Sequence, residues 1–254
     1  MPSLKEIASV KNSMLLYGKN SVLERLKTDP KSIRKIFLRH NFAAPYIEEL
    51  IKVNNTPLER LSLSQLTRIK RAETLQGIVA RVDRFNYASF EGLLNRPRNK
   101  QLTLIFLDRV YDPQNLGAII RTAACFGGFA IVIPKFKACG INETVLHVAS
   151  GGENYVSVSM VSNLTNALIA AKKSGHWIMG AVLDNHAKEI NTVSLPFPLG
   201  LVLGSEGEGI HYGVGKHLDI KVRIPMKGAK LSFNVTCACA ILCYEISKQR
   251  TVSS

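Results

Sequence analysis

From Leu102 to Lys248 the chain alternates short apolar runs with segments of helical spacing, and this limits the fold more than any other feature. Strands are expected at Leu102–Leu107, Ile131–Ile133, Val156–Ser159, Trp177–Val182, Leu199–Leu203 and Ile220–Ile224. Helices are expected at Leu116–Phe126, Asn163–Lys173 and Asn234–Lys248. Apolar strands separated by helices indicate an open, largely parallel sheet covered by helices, an α/β fold.

The 254 residues leave room for a second, smaller domain ahead of this sheet. Residues 14–82 read as a small α/β unit. Ser21-Val22-Leu23-Glu24 has capping-box spacing and opens a helix through Leu26. Lys35–Leu38 is strand-like, Ile47, Leu50 and Ile51 recur at helical spacing after Pro45, and Gln76–Ala80 closes the unit as a strand. Residues 83–100, which include Arg96-Pro97-Arg98-Asn99-Lys100, are a linker candidate; packing of Phe85–Leu94 on one of the domains is the alternative. The expected division is a front domain over 1–82, a linker over 83–100 and a larger domain over 101–254.

Net charge is +14, and the first 100 residues carry 19 Lys and Arg against 9 Asp and Glu. That excess suits a polyanionic partner or serves solubility, and charge alone does not decide between them. No apolar run is long enough to span a bilayer, and Met1–Ser13 lacks the apolar stretch of a secretory signal, so the expectation is a cytoplasmic protein with no membrane partner. Cys125, Cys139, Cys237, Cys239 and Cys243 form no Cys-x-x-Cys pair, which reads as free thiols; no metal is expected, because nothing completes a tetrahedral set.

Three segments carry the chemistry. The first is Asp112-Pro113-Gln114-Asn115-Leu116-Gly117-Ala118-Ile119-Ile120-Arg121, which turns from a strand into a helix. A dinucleotide-binding turn would bring three glycines here; this one has Gly117 alone, flanked by an amide and a guanidinium suited to phosphate or carboxylate. The second is Leu203-Gly204-Ser205-Glu206-Gly207-Glu208-Gly209-Ile210. Its two carboxylates would repel phosphate, so it is either a plain strand-to-helix turn or a loop for a neutral or cationic ligand. The third, Ile224-Pro225-Met226-Lys227-Gly228-Ala229-Lys230-Leu231-Ser232-Phe233-Asn234, leads into an apolar helix, with Ser232 a candidate N-cap. His186 near Asp184 suggests an acid–base pair or an ordinary polar loop.

In order and spacing these segments resemble the three motifs of the SpoU/TrmH family of RNA ribose 2′-O-methyltransferases. The resemblance covers 102–248, and more loosely 14–82. It implies a SPOUT-type open parallel sheet with a trefoil knot, and a front RNA-binding domain resembling a ribosomal protein. It implies S-adenosyl-L-methionine as cofactor and RNA as partner, specifically large-subunit rRNA methylated on a guanosine, and a homodimer with residues of both subunits near each site. The family's motif positions assign Leu203, Gly204, Gly207, Ile224 and Phe233 to the cofactor, with Phe233 standing where leucine is usual. They assign Arg121, Asn115, Glu206, Ser232 and Asn234 to the chemistry, with Asn115 and Glu206 orienting Arg121. Arginine side chains remain cationic in proteins, so Arg121 is read as a cation on the neighbouring phosphate rather than as a base. Methylation of tRNA, or an inactive RNA-binding assembly factor, are the competing readings.

Overall fold

The chain divides into two units, one formed by Met1–Asn86 together with Ile141–Asn154, the other by Tyr87–Gly140 and Tyr155–Ser254. The computed structural model describes residues 12–72, 74–97, 101–184, 186–229 and 231–252. Positions 98–100 of the linker candidate and Lys230 of the third motif lie outside the described residues.

In the first unit β1 (Ser13–Tyr17), α1 (Lys19–Thr28), β2 (Ile33–Arg39), α2 (Pro45–Val53), β3 (Leu58–Leu61), α3 (Leu63–Ile69) and β4 (Ile78–Asp83) follow one another. The sheet runs β1-β4-β2-β3, with β4 antiparallel to both neighbours and β3 parallel to β2. Alternate residues of the strands, Leu16, Ile36, Leu38, Ile78, Ala80 and Val82, meet Val22, Leu26, Ile47 and Ile51 of the helices in one apolar cluster. The expected capping box at Ser21–Glu24 does not form. Gly18 holds the N-cap position, and Ser21 is buried one turn in, its hydroxyl donating to the carbonyl of Leu146 at 3.5 Å. A capping box is present instead at Ser62 and Gln65.

The second unit contains α4 (Phe90–Leu94), β5 (Thr103–Asp108), α5 (Pro113–Phe126) and β6 (Phe129–Pro134). The chain then leaves for α6 (Glu143–Ala149), which packs in the first unit, and returns through β7 (Ser157–Val161), α7 (Leu164–Lys173), β8 (Trp177–Ala181), β9 (Lys188–Glu189) and β10 (Leu199–Gly204). It ends with α8 (Tyr212–Gly215), β11 (Ile220–Arg223) and α9 (Val235–Val252). All pairings in the seven-stranded sheet, β7-β6-β5-β10-β8-β11-β9, are parallel. Within the linker candidate, Phe90, Leu93 and Leu94 pack against Leu104, Phe106 and Val202 in the core of this unit. Among the described residues no helix is long and apolar enough to cross a membrane.

The excursion through α6 is locked into the first unit by polar and apolar contacts. Glu143 accepts from the backbone N–H of Leu15 at 2.9 Å and from Lys70 Nζ at 2.5 Å. The His147 ring stacks on Tyr17 at 4.2 Å, and Leu146 is buried in the cluster with Leu16 and Val22. Glu153 lies beside Arg25 at 3.4 Å; burial raises its carboxyl pKa against the opposing pull of the guanidinium. Deleting residues 1–82 would therefore strip the cover from Leu146. The truncated chain is expected to bind a hydrophobic dye and to melt below the intact protein, and Leu146→Ser in the truncated chain should reduce the dye signal. A dye signal indifferent to that substitution would contradict this packing.

Candidate active site

In an open parallel sheet, ligands bind where strand carboxyl ends leave a crevice at the point of topological reversal. Here β5 and β10 lie at the centre, with β6 and β7 on one side and β8, β11 and β9 on the other. A cavity of about 480 Å³ opens at the ends of β8, β10 and β11, within the range of small-molecule sites. All five positions assigned to a cofactor line it (Leu203, Gly204, Gly207, Ile224 and Phe233), and so do Glu206 and Ser232. Leu183 and Lys221, which the sequence reading did not single out, also line it, as do Asp184 and Met226, which it noted without assigning them to the cofactor. Leu183 and Asp184 follow β8 while Lys221 and Met226 lie in and after β11, so no single motif spacing joins them.

The loop after β10 is tightly folded. Ser205 bridges to Gly209, and a Cβ on Gly204 would lie 2.1 Å from the Gly209 carbonyl carbon, so only glycine fits there. Backbone thus walls one side of the cavity and the side chains of Ile224, Met226 and Phe233 supply apolar surface. Asp184, Glu206 and Glu208 give the lining an acidic character that suits a cationic ligand.

Three motif residues meet beside this loop. Asp112 caps α5 by accepting from Gln114 N–H at 2.8 Å, with Pro113 in the first turn. This start sets Asn115, only 8 % exposed, so that its Nδ2 donates to Glu206 Oε1 at 2.8 Å. Asn234 Nδ2 donates to the same carboxylate oxygen and lies 3.4 Å from Asn115 Oδ1. Asn234 also accepts from the N–H and hydroxyl of Thr236, at 2.8 and 2.6 Å. Asn234, rather than Ser232, therefore caps the first turn of α9, which begins at Val235.

Arg121 stands apart from this cluster. Among the described residues neither Asn115 nor Glu206 bonds to it; Glu206 engages the two amides instead. Helical geometry explains the separation: six residues beyond Asn115, Arg121 is rotated about 120° around α5 and displaced about 9 Å along it. It faces solvent, as do Cys125 and Phe126 on the same helix and Tyr244 on α9. Of the two readings of His186 and Asp184, an acid–base pair or an ordinary polar loop, the described residues show the loop, with no imidazole contact to Asp184. The contact is from the His186 backbone N–H to Asp184 Oδ1 at 2.9 Å, an ordinary turn.

Arg109 was not foreseen. It follows β5 with φ of +58°, a conformation unfavourable to a non-glycine residue, and its guanidinium reaches Glu208 in the β10 loop. Its neighbour Asp108 accepts from the His211 N–H at 2.6 Å, so the end of β5 holds the loop at two points. Glu208 is 73 % exposed, and exposed pairs contribute modestly. Arg109→Ala and Glu208→Gln are each expected to weaken ligand binding in the cavity by about threefold, and the double variant by little more. Isothermal calorimetry checks this; two full, additive losses would show that the residues act separately.

Comparison with known proteins bears on both units. The model of the SpoU rRNA methylase family matches residues 102–244, and that of the RNA 2′-O ribose methyltransferase substrate-binding family matches residues 15–88. An uncharacterized tRNA/rRNA methyltransferase of Synechocystis is 37% identical over 93% of this chain, which spans 62% of that relative's length. A 23S rRNA (guanosine-2′-O-)-methyltransferase of Nitrosomonas europaea is 34% identical, over 94% of this chain and 93% of its own. The SpoU methyltransferase AviRb of Streptomyces viridochromogenes, solved with AdoMet, is similar in fold, with a TM-score of 0.78 and 19% identity over 96% of this chain and 93% of that one.

Proposed function

The chain belongs to the SpoU rRNA methylase family, and from that premise we propose that it transfers a methyl group from S-adenosylmethionine to a ribose 2′-hydroxyl of large-subunit rRNA. The observation that carries the reading is the Glu206–Asn115–Asn234 cluster, which ties three motif segments together beside a cavity lined by all five cofactor positions. The cavity's chemistry fits the cofactor. Apolar side chains and the backbone of a tightly folded loop suit an adenosine, and the carboxylates of Asp184 and Glu206 suit cationic groups.

When bound, S-adenosylmethionine supplies an electrophilic methyl group on a sulfonium sulfur. The residues of this chain would have to align a ribose 2′-hydroxyl with that methyl and leave its proton a path to phosphate or water. Asn115, Glu206 and Asn234 fix the floor on which the ribose is aligned, which is where effective concentration is gained. Arg121 holds the adjoining phosphate through its planar guanidinium and stabilises the developing oxyanion. Because Arg121 projects from a different face of α5 than Asn115, we assign it to a site completed by a second copy of the chain. Phe126 and Tyr244, exposed with ring centroids 6.4 Å apart, would also be covered by such a copy. The family's trefoil knot and cytoplasmic location belong to this reading.

The name of the Nitrosomonas relative, a 23S rRNA (guanosine-2′-O-)-methyltransferase, supports guanosine as the target. The substrate-binding family match over 15–88 supports the first unit as the RNA-gripping part. The mixed tRNA/rRNA name of the Synechocystis relative keeps tRNA methylation as a second reading. Mapping 2′-O-methyl sites in total RNA with and without the gene tests the choice. Loss of one large-subunit guanosine mark is expected; loss confined to tRNA would overturn the rRNA assignment.

A further inference from the structure

The first unit contains a depression of about 820 Å³ lined by Lys19, Asn20, Arg39, Thr67, Gln76 and Gly77, with Leu63, Ala72 and Leu75 supplying apolar surface. It lies among the start of α1, the end of β2, α3 and the turn before β4. Neither Lys19 nor Arg39 is paired with a carboxylate among the described residues, whereas Arg34, Lys35, Arg60 and Lys70 of the same unit all are. Lys19 Nζ sits 5.3 Å from the Phe42 ring centroid, which holds the cation without neutralising it.

The turn before β4 is unusual in a second way. Gln76 adopts φ of +53°, a left-handed conformation rare for such a side chain, and Gly77 follows at +77°. Non-glycine residues held this way cluster where structure serves a ligand. The Gln76 side-chain oxygen accepts from the Lys19 backbone N–H at 2.8 Å. Its NH₂ group makes no bond among the described residues, and neither does the side-chain amide of Asn20. Two side-chain amides, two cations without a carboxylate partner among the described residues, and an apolar lining are the groups suited to a base edge, a phosphate and a base face.

We propose that this depression binds one unpaired nucleotide of the substrate RNA, gripped at its phosphate by Lys19 and Arg39 and at its base edge by Asn20 and Gln76. A bare phosphate would leave the apolar lining and the amides unused. The proposal rests on the RNA-substrate reading above and assigns the first unit a discrete contact rather than a diffuse basic surface.

Nuclear magnetic resonance of the intact chain, titrated with the four nucleoside 5′-monophosphates and separately with inorganic phosphate, tests it. At least one nucleotide is expected to shift the side-chain amide signals of Asn20 and Gln76, and phosphate at equal concentration to leave them in place. The Lys19→Gln, Arg39→Gln double variant should lose those shifts. It should also bind a single-stranded oligoribonucleotide about tenfold more weakly, with a shallower salt dependence. Its S-adenosylmethionine affinity and melting temperature should stay unchanged. Absence of shifts, equal shifts from phosphate alone, or unchanged RNA affinity in the double variant would overturn the proposal. The two readings fail separately: a wild-type chain that transfers methyl groups but shows no nucleotide shifts sinks the pocket alone. One that shows the shifts but neither binds S-adenosylmethionine nor transfers methyl groups sinks the enzyme reading alone.

Discussion

Replacing Arg121 by alanine is expected to lower methyl transfer by about a thousandfold, while S-adenosylmethionine affinity stays within about twofold of the intact protein. The split follows from position. Arg121 is outside the cavity lining and makes no bond to the Glu206 cluster among the described residues, so its removal leaves the cofactor's walls intact. On the proposed reading, what is lost is the cation that holds the phosphate beside the reacting ribose, and a second copy of the chain would have to cover the exposed Arg121 for that charge to act at full strength. Arg121→Lys is expected to recover little, because an ammonium lacks the planar fork that holds a phosphate through two parallel bonds. Single-turnover kinetics at saturating cofactor, with calorimetry for binding, checks both halves. Near-normal turnover by either variant would remove Arg121 from the chemistry.

The second large effect is expected at Glu206. Its Oε1 accepts from the amides of Asn115 and Asn234, and Asn115 is buried. Glu206→Ala removes the acceptor of Asn115 Nδ2 and leaves Asn234 Nδ2 only its long 3.4 Å bond to Asn115 Oδ1, and hydrogen bonds to charged groups contribute about 1.5–3 kcal/mol. A loss of about a hundredfold in kcat/KM is expected, with weaker S-adenosylmethionine binding, since Glu206 also lines the cavity. Glu206→Gln keeps one acceptor oxygen and should cost about tenfold less than alanine. Adding Asn115→Ala to Glu206→Ala should cost little more, because the first change has already broken the pair. Additive losses in that cycle would mean that the two residues contribute independently, against the cluster described here.

The strands of the larger sheet were legible because parallel strands covered on both faces must be apolar throughout, as Thr103–Asp108 and Phe129–Pro134 nearly are. The cavity lining was legible too, since Leu203, Gly204, Gly207, Ile224 and Phe233 come from motif segments continuous in sequence. Other features depend on partners distant along the chain. Helix α6 joins the first unit through Glu143, Leu146 and His147, which meet residues about 70 to 130 positions away. Spacing showed a capping pattern at Ser21, but Gly18 starts the helix earlier, and the Ser21 hydroxyl turns to the Leu146 carbonyl. Arg109 gave no signal because no local rule predicts a left-handed arginine, and its reason appears only when Glu208 is brought beside it. Arg121 was recognised as a motif residue, but its distance from Asn115 follows from the phase of the helix rather than from adjacency in the motif.

The most direct test of the central claim is to incubate the intact chain with total RNA and S-adenosylmethionine labelled in its methyl group, digest the RNA to nucleosides, and identify the labelled product. The account predicts label in a single 2′-O-methylated nucleoside, guanosine, released from large-subunit rRNA and absent when Arg121 is alanine. Label recovered on a base, or no label in RNA although the cofactor binds, would contradict it.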